Sequence, residues 1–354
     1  MGEGLGHNEY LDGLPFRPQG AAGSLLETAF RLTRTSRSDY LIDNLVRCQP
    51  PHDQLLGMGY ESSSIQYCQS VYGSRVLDNP NVRVVVALGA LPFKYLSGLS
   101  GKKLGISDCR GYVIKSDVLD KLIIGSYHPA HIRRGKLAYT DYLVHDIRKA
   151  LAVARGDYKF CTAEDYPNKY QLTPSIDDAK SFAYRVRDSS NLSLAVDIET
   201  PNSQEAEEDE RDELEHEEIT SIQFSLGSGE GIFFPWEGIY IKIAKAILKL
   251  MNRKLGFNFW HFDGPKLKSN QCVINGKIVD LMWKFHHLKP DLEMGLQKVA
   301  SMCDFPFTWK HFANDNRMSK FYGVVDVDVL HWIEPKIEGV MKSMKVRTQN
   351  EINV

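Results

Sequence analysis

Two carboxylates close an apolar run, Leu192-Ser-Leu-Ala-Val-Asp197-Ile-Glu199-Thr. Side chains alternate faces along a strand, so Asp197 and Glu199 share a side and repel one another. Hard divalent cations are what clustered carboxylates hold, and metal binding is the chemistry this tripeptide offers. D-x-E is also an ordinary strand ending, so the pair needs partners from elsewhere in the chain. Two segments supply them. Gly256-Phe-Asn258-Phe-Trp-His-Phe262-Asp263 ends in a third acid, and Phe321-Tyr322-Gly-Val-Val-Asp326-Val-Asp328-Val-Leu330 carries a fourth, Asp326. The last stretch reads as helix despite its valines. Tyr322 and Asp326, four apart, then share a face, and Asp328 is turned away.

Asp197, Glu199, Asp263 and Asp326 form a ligand set for two divalent cations, Mg or Mn. Such a pair stabilises the attacking and leaving oxygens of phosphodiester hydrolysis, while the Tyr322 phenol positions the attacking water. Asp280 and Asp328 are expected at the surface or as caps, and Trp260, Phe262 and Trp283 in the core.

The 354 residues are ample for two cores. With 43% hydrophobic and 25% charged residues the composition is that of a globular protein. The net charge of −2 gives no general attraction to nucleic acid, so any basic surface is local. No apolar run is long enough to cross a membrane, and the start lacks a signal-peptide pattern. Cys48, Cys68, Cys109, Cys161, Cys272 and Cys303 are scattered without a C-x-x-C, which predicts reduced thiols in a cytoplasm.

In the first half, Val82 to Gly89 and Lys121 to Pro129 are nearly continuous apolar runs that suit parallel strands buried on both faces. Asp39 to Cys48 is a further strand candidate. Helical patterns lie between them, and Tyr142 to Arg155 reads as a closing helix. This alternation predicts a three-layer α/β domain with its site at the carboxyl ends of the strands. Glu3, Asn44 and His128 fall at those ends, with Phe16 in an early loop. Periodicity disappears over 156–168, which divides the chain into domains at 1–155 and 169–354 with a linker between. The second domain opens with an edge strand near Tyr170 and a helix capped at Ser175. An acidic stretch, 204–218, reads as a solvated loop.

The ordered pieces Gly2-Glu-Gly-Leu-Gly6, Gly13-Leu-Pro-Phe16, Asn44-Leu-Val-Arg-Cys-Gln-Pro-Pro51, Ala87-Leu-Gly-Ala90 and Tyr127-His128-Pro129 resemble the signatures of iron–sulfur type (family 4) uracil-DNA glycosylases. The resemblance implies that a flipped uracil stacks on Phe16 and that Asn44 reads its edge. It implies that His128 stabilises charge on the departing base and that Glu3 positions water. The run His131-Ile-Arg-Arg-Gly-Lys136 would hold phosphates. The family has proline where Leu5 stands. It also has a strand and two cysteines ahead of the glycine turn, so this domain is expected to be N-terminally incomplete. Cys48 and Cys68 match the other two cluster ligands. A 4Fe–4S cluster needs four, so both the cluster and glycosylase activity are left open.

The acids and tyrosine of the second half resemble, in order and spacing, the 3′–5′ proofreading exonuclease domain of family A DNA polymerases. Asp291 to Ser301 followed by Trp309-Lys310-His311 is similar to bacteriophage members. Asn258 stands five residues before Asp263 where the family has four, so Asn258 is not expected to act. The resemblance implies a ribonuclease H-like domain with a mixed sheet, acting on single-stranded DNA 3′ ends. It also implies a DNA polymerase domain or subunit as partner, in a bacterial or phage-infected cell. The chain is expected to be the front part, or one gene, of a split phage polymerase. Two other readings stay open: an RNA 3′-end exonuclease, and a non-catalytic DNA-binding accessory whose first half has decayed.

Overall fold

A computed structural model describes residues 1–72, 76–99, 104–201, 218–312 and 318–344. The acidic stretch expected at 204–218 lies outside these residues except for Glu218. The chain divides into two compact units, Met1–Ala163 with Pro306–Thr308, and Glu164–Phe305 with Trp309–Val354.

The first unit contains strands β1 (Gly2–Gly4), β2 (Asn44–Val46), β3 (Val84–Leu88), β4 (Val113–Lys115) and β5 (Leu122–Ser126). Its helices are α1 (His7–Asp12), α2 (Ala21–Leu32), α3 (Glu61–Tyr72), α4 (Ala90–Ser97), α5 (Ile106–Cys109), α6 (Pro129–Arg133) and α7 (Thr140–Arg155). β1 pairs with β2 in parallel, and β3 with β5 in parallel. Met1 joins the two sheets: its amine donates to the Val86 carbonyl at 2.9 Å, and its own carbonyl accepts from Leu88 N–H at 2.9 Å. The β-branched runs alternate as buried strands must. Val85, Ala87 and Ile123 pack with Leu91, Phe93 and Leu96 of α4, whereas Val84, Val86 and Ile124 pack with Ala150 and Val153 of α7. The sheet is therefore the middle of three layers.

Two details differ from expectation. β4 runs antiparallel to β5 at the edge. Only Asn44–Val46 of the run from Asp39 to Cys48 is strand. The residues before it are drawn off the sheet, because Tyr40 stacks on Phe30 at 4.3 Å and shares a hydrogen bond with the Thr35 hydroxyl at 2.7 Å.

The second unit holds β6 (Lys169–Gln171), β7 (Leu194–Glu199), β8 (Ser221–Ser225), β9 (Glu230–Pro235), β10 (Lys254–Gly256) and β11 (Ile278–Asp280). Its helices are α8 (Ile176–Asp188), α9 (Gly238–Leu248), α10 (Asp263–Ser269), α11 (Leu281–Leu288), α12 (Leu296–Met302) and α13 (Ser319–Ser343). The strand order is β11-β10-β7-β8-β9-β6. β8 runs antiparallel to both of its neighbours, β7 and β9, and β10 and β11 run parallel to β7. This is the ribonuclease H-like order, with β6 added beyond β9.

β7 separates its two faces cleanly. Leu194, Val196 and Ile198 enter one apolar core with Phe182 and Val186 of α8 and Ala244 and Ile247 of α9. Asp197 and Glu199 are thereby committed to the other face, and α13 packs against β7, β8 and β9. Close approach depends on missing side chains. A Cβ on Gly231 would stand 2.4 Å from Val324 Cγ1, and one on Gly323 would stand 3.0 Å from Gln223.

Gly231→Ala is expected to force α13 off the sheet and to cost about 1–3 kcal/mol, the usual range for overpacking. Chemical denaturation measures this, and an unchanged midpoint would show that the contact does not seat the helix.

Candidate functional site

The second unit brings three of the four expected acids together. Single carboxylate oxygens of Asp197 and Glu199 from β7 and Asp326 from α13 all lie within 4.8 Å of one another. Asp326 is pinned from behind by the indole N–H of the fully buried Trp309, which donates to its Oδ1 at 2.7 Å. Tyr322 sits one turn before Asp326, and its hydroxyl accepts from Lys310 Nζ at 2.7 Å. Asp263 is not part of the close set. It opens α10, is buried, and its Oδ1 accepts the Ile198 N–H at 3.0 Å.

Burial and mutual repulsion govern the charges. Asp197 is raised well above the ordinary carboxylate range by burial, then by Asp263, Asp326 and Glu199. Glu199 is pushed up to about 8 by burial and Asp326. Asp263 also rises to about 8, by burial, against the pull of the Ile198 N–H. Asp326 is raised by burial and partly relieved by Lys310, Trp309 and Tyr322. The Tyr322 phenol is pushed upward by burial and by the acids beside it. A cluster of oxygen donors that cannot all ionise by themselves fits a hard divalent cation, because the cation replaces the shared protons. Asp197, Glu199 and Asp326 are the residues that would hold it, with Asp263 beside them.

The remaining acids act as braces. Asp280 is buried, not superficial: it caps α11 by accepting Met282 N–H at 3.1 Å and also accepts Asn258 N–H at 3.0 Å. It thus shapes the turn that delivers Asp263, with Asn258 in a left-handed conformation at φ +60°. Asp280 thus takes the expected capping role, whereas Asp328 is wholly buried and departs from the expected surface or cap position. It accepts the Tyr170 hydroxyl and the Gly229 N–H, tying β6 and the β8–β9 turn to α13. Trp260 and Phe262 are half-buried and pack against the apolar core, as expected, whereas the half-buried Trp283 packs beside His261 and His286. The sequence pieces Asp291 to Ser301 and Trp309-Lys310-His311 contain Gln297, Trp309 and Lys310 without giving them a role; the Gln297 side chain accepts Lys310 N–H at 3.0 Å.

In the first unit, a cavity of about 620 Å³ is lined by Glu3, Phe16, Arg17, His128, His131 and Arg134, among others. Phe16 holds a left-handed φ of +51° in its loop, and its ring centre lies 5.5 Å from that of His128. Asn44 does not line the cavity. Its buried amide converges with Phe16 on Gly2, where a Cβ would stand 2.2 Å from Asn44 Oδ1 and 2.6 Å from the Phe16 ring. Both polar atoms of that amide lack a hydrogen-bond partner among the described residues. His128 caps α6, its Nδ1 accepting Ala130 N–H at 3.1 Å. Burial, with Arg134 and other positive groups nearby, lowers its pKa to about 4. The neutral ring therefore carries its proton on Nε2, where it can donate. Glu3 accepts Leu56 N–H at 3.3 Å and is raised by burial.

Residues 1–151 match the family model of the uracil DNA glycosylase superfamily. The type-4 uracil-DNA glycosylase of Thermotoga maritima is 32% identical over 152 residues, which are 42% of this chain and 73% of that protein. The chain belongs to the uracil DNA glycosylase superfamily. The type-4 uracil-DNA glycosylase of Saccharolobus solfataricus is 31% identical over 134 residues, 37% of this chain and 59% of the relative. The chain is also similar to Escherichia coli RNase D, an exoribonuclease involved in structured RNA processing. That likeness has a TM-score of 0.35 at 16% identity and covers 51% of this chain and 46% of that one.

Cys48 and Cys68, which resemble two cluster ligands of type-4 glycosylases, lie close enough for their thiols to interact, and burial followed by Cys68 raises Cys48. Among the described residues, no third metal-ligating side chain joins them.

The raised acids set a pH dependence. A carboxylate that stays protonated to about 8 in the folded state is ionised in the unfolded chain above about 4, so stability falls as pH climbs through that window. The melting temperature of metal-free protein is expected to drop between about pH 5 and pH 8, with Mg²⁺ or Mn²⁺ restoring more of it at the upper end. A flat profile indifferent to the cation would contradict this.

Proposed function

We propose that this protein removes nucleotides from 3′ ends of single-stranded DNA by metal-assisted hydrolysis, in the manner of a proofreading exonuclease. The observation that carries the reading is the convergence of Asp197, Glu199 and Asp326, from two segments far apart in sequence, within 4.8 Å, with Tyr322 one helical turn away. Bound Mg²⁺ or Mn²⁺ would supply Lewis-acid stabilisation of the oxygens that enter and leave phosphorus. Asp197, Glu199 and Asp326 hold that charge, Asp263 adds a fourth acid beside Asp197, and Tyr322 orients water by hydrogen bonding. In this reading residues 169–354 are the exonuclease domain and 156–168 the linker. The natural partner of a proofreading nuclease is a DNA polymerase domain or subunit.

Residues 1–155 are proposed as a uracil-DNA glycosylase-like domain. Support comes from the unpartnered Asn44 amide, poised to read a base edge, and from a neutral His128 with a proton to donate. His131, Arg133 and Arg134 beside the cavity suit phosphate contacts.

Asp197→Ala is expected to abolish Mg²⁺-dependent shortening of a 5′-labelled DNA strand while leaving the melting temperature of metal-free protein at or above that of the parent. Tyr322→Phe should slow it by about 10²-fold. Retained Mg²⁺-dependent activity in Asp197→Ala would remove the assignment. For the first unit, uracil release from single-stranded DNA is expected to fall by about 10²–10³-fold in Asn44→Ala. No release by the unsubstituted protein, in preparations assayed for iron, would exclude the glycosylase reading.

A further inference from the structure

Lys310 occupies a place in the acid cluster that no recognised part of the site explains. It opens a short 3₁₀ turn, Lys310–Phe312, whose preceding residue, Trp309, is fully buried. Two anchors fix that peptide: Trp309 Nε1 donates to Asp326 Oδ1 at 2.7 Å, and Lys310 N–H donates to Gln297 Oε1 at 3.0 Å. From this anchored peptide the lysine side chain extends to Tyr322. Its Nζ donates to the Tyr322 hydroxyl at 2.7 Å and stands 5.0 Å from the centre of that ring. Its charge also lowers Asp197, Glu199 and Asp326 against the pull of burial.

A phenol hydroxyl has one proton and two lone pairs. With Lys310 on one lone pair, the proton and the other lone pair are left facing the carboxylates. The proton goes to Asp326, with which Tyr322 is hydrogen-bonded. The second lone pair can then accept an O–H from a water molecule, leaving that water's own lone pair directed away from the tyrosine.

We propose that Lys310 is a positioning residue for the hydrolysis: by donating to the Tyr322 oxygen it orients the phenol, and through the phenol the attacking water. This rests on the exonuclease reading of the cluster. Lys310 acts through Tyr322 and not as an independent phosphate contact, so its loss falls on turnover and not on substrate binding.

The test is a double-mutant cycle on the full chain with a 5′-labelled single-stranded DNA and Mg²⁺, comparing the parent, Lys310→Met, Lys310→Arg, Tyr322→Phe and the Lys310→Met/Tyr322→Phe pair. Mn²⁺ binding and melting temperature of each variant establish that the site is intact. Lys310→Met is expected to lower kcat by about 10²-fold with KM within about threefold of the parent. Lys310→Arg should recover part of the loss, and Lys310→Met should add nothing in the Tyr322→Phe background. An unchanged kcat, a change confined to KM, or an equal loss in both backgrounds overturns the proposal while leaving the nuclease reading in place. A parent protein that does not shorten the strand with Mg²⁺ or Mn²⁺ overturns both.

Discussion

Carboxylates packed on one face of a strand cannot all ionise out of water unless positive charge lies among them, and the second unit is arranged around that constraint. Asp197 and Glu199 have no alternative face, since Leu194, Val196 and Ile198 commit the opposite one to the apolar core. Asp326 arrives because α13 lies close over the sheet at Gly231 and Gly323, and it is held by Trp309. Each of these contacts brings like charges closer. The folded state therefore spends stability on an arrangement that a divalent cation relieves, a conflict between local energetics and fold that is characteristic of functional sites. Lys310 relieves part of it without a metal.

The first unit solves a different electrostatic problem. Among the charged residues that line its cavity stands a histidine whose pKa is lowered to about 4, and beneath Gly2 lies an asparagine with unspent hydrogen-bonding capacity. A neutral donor can strengthen its hydrogen bond as negative charge grows on a departing group, whereas a pre-existing cation would bind the ground state as well. Gly2 makes the arrangement possible, because any side chain there would collide with Asn44 and Phe16.

Most of the strand pattern was legible from residue type. β3, β5, β7 and β8 announce themselves by β-branched runs or alternation, and α8 by its Ser175 cap. The acids of the cluster were legible because the two-residue spacing on a strand and the four-residue spacing on a helix each fix a shared face. What could not be read was long-range support. Asp280 reads as a surface or capping acid and does cap α11 through Met282, but its second donor, Asn258, and the donors of Asp328, Tyr170 and Gly229, come from tertiary contacts. The withdrawal of Tyr40 from the sheet depends on Phe30, ten residues away, and the direction of Lys310 depends on Gln297. Spacing carries no trace of such contacts.

The cluster of Asp197, Glu199 and Asp326 is expected to act as a divalent-cation site. Counting Mn²⁺ bound to the purified chain by electron paramagnetic resonance, at about pH 8 where the shared protons are released, tests it directly. The account predicts two ions per chain in the parent and loss of binding in Asp326→Asn. No bound Mn²⁺ in the parent, or binding that survives in Asp326→Asn, would contradict it.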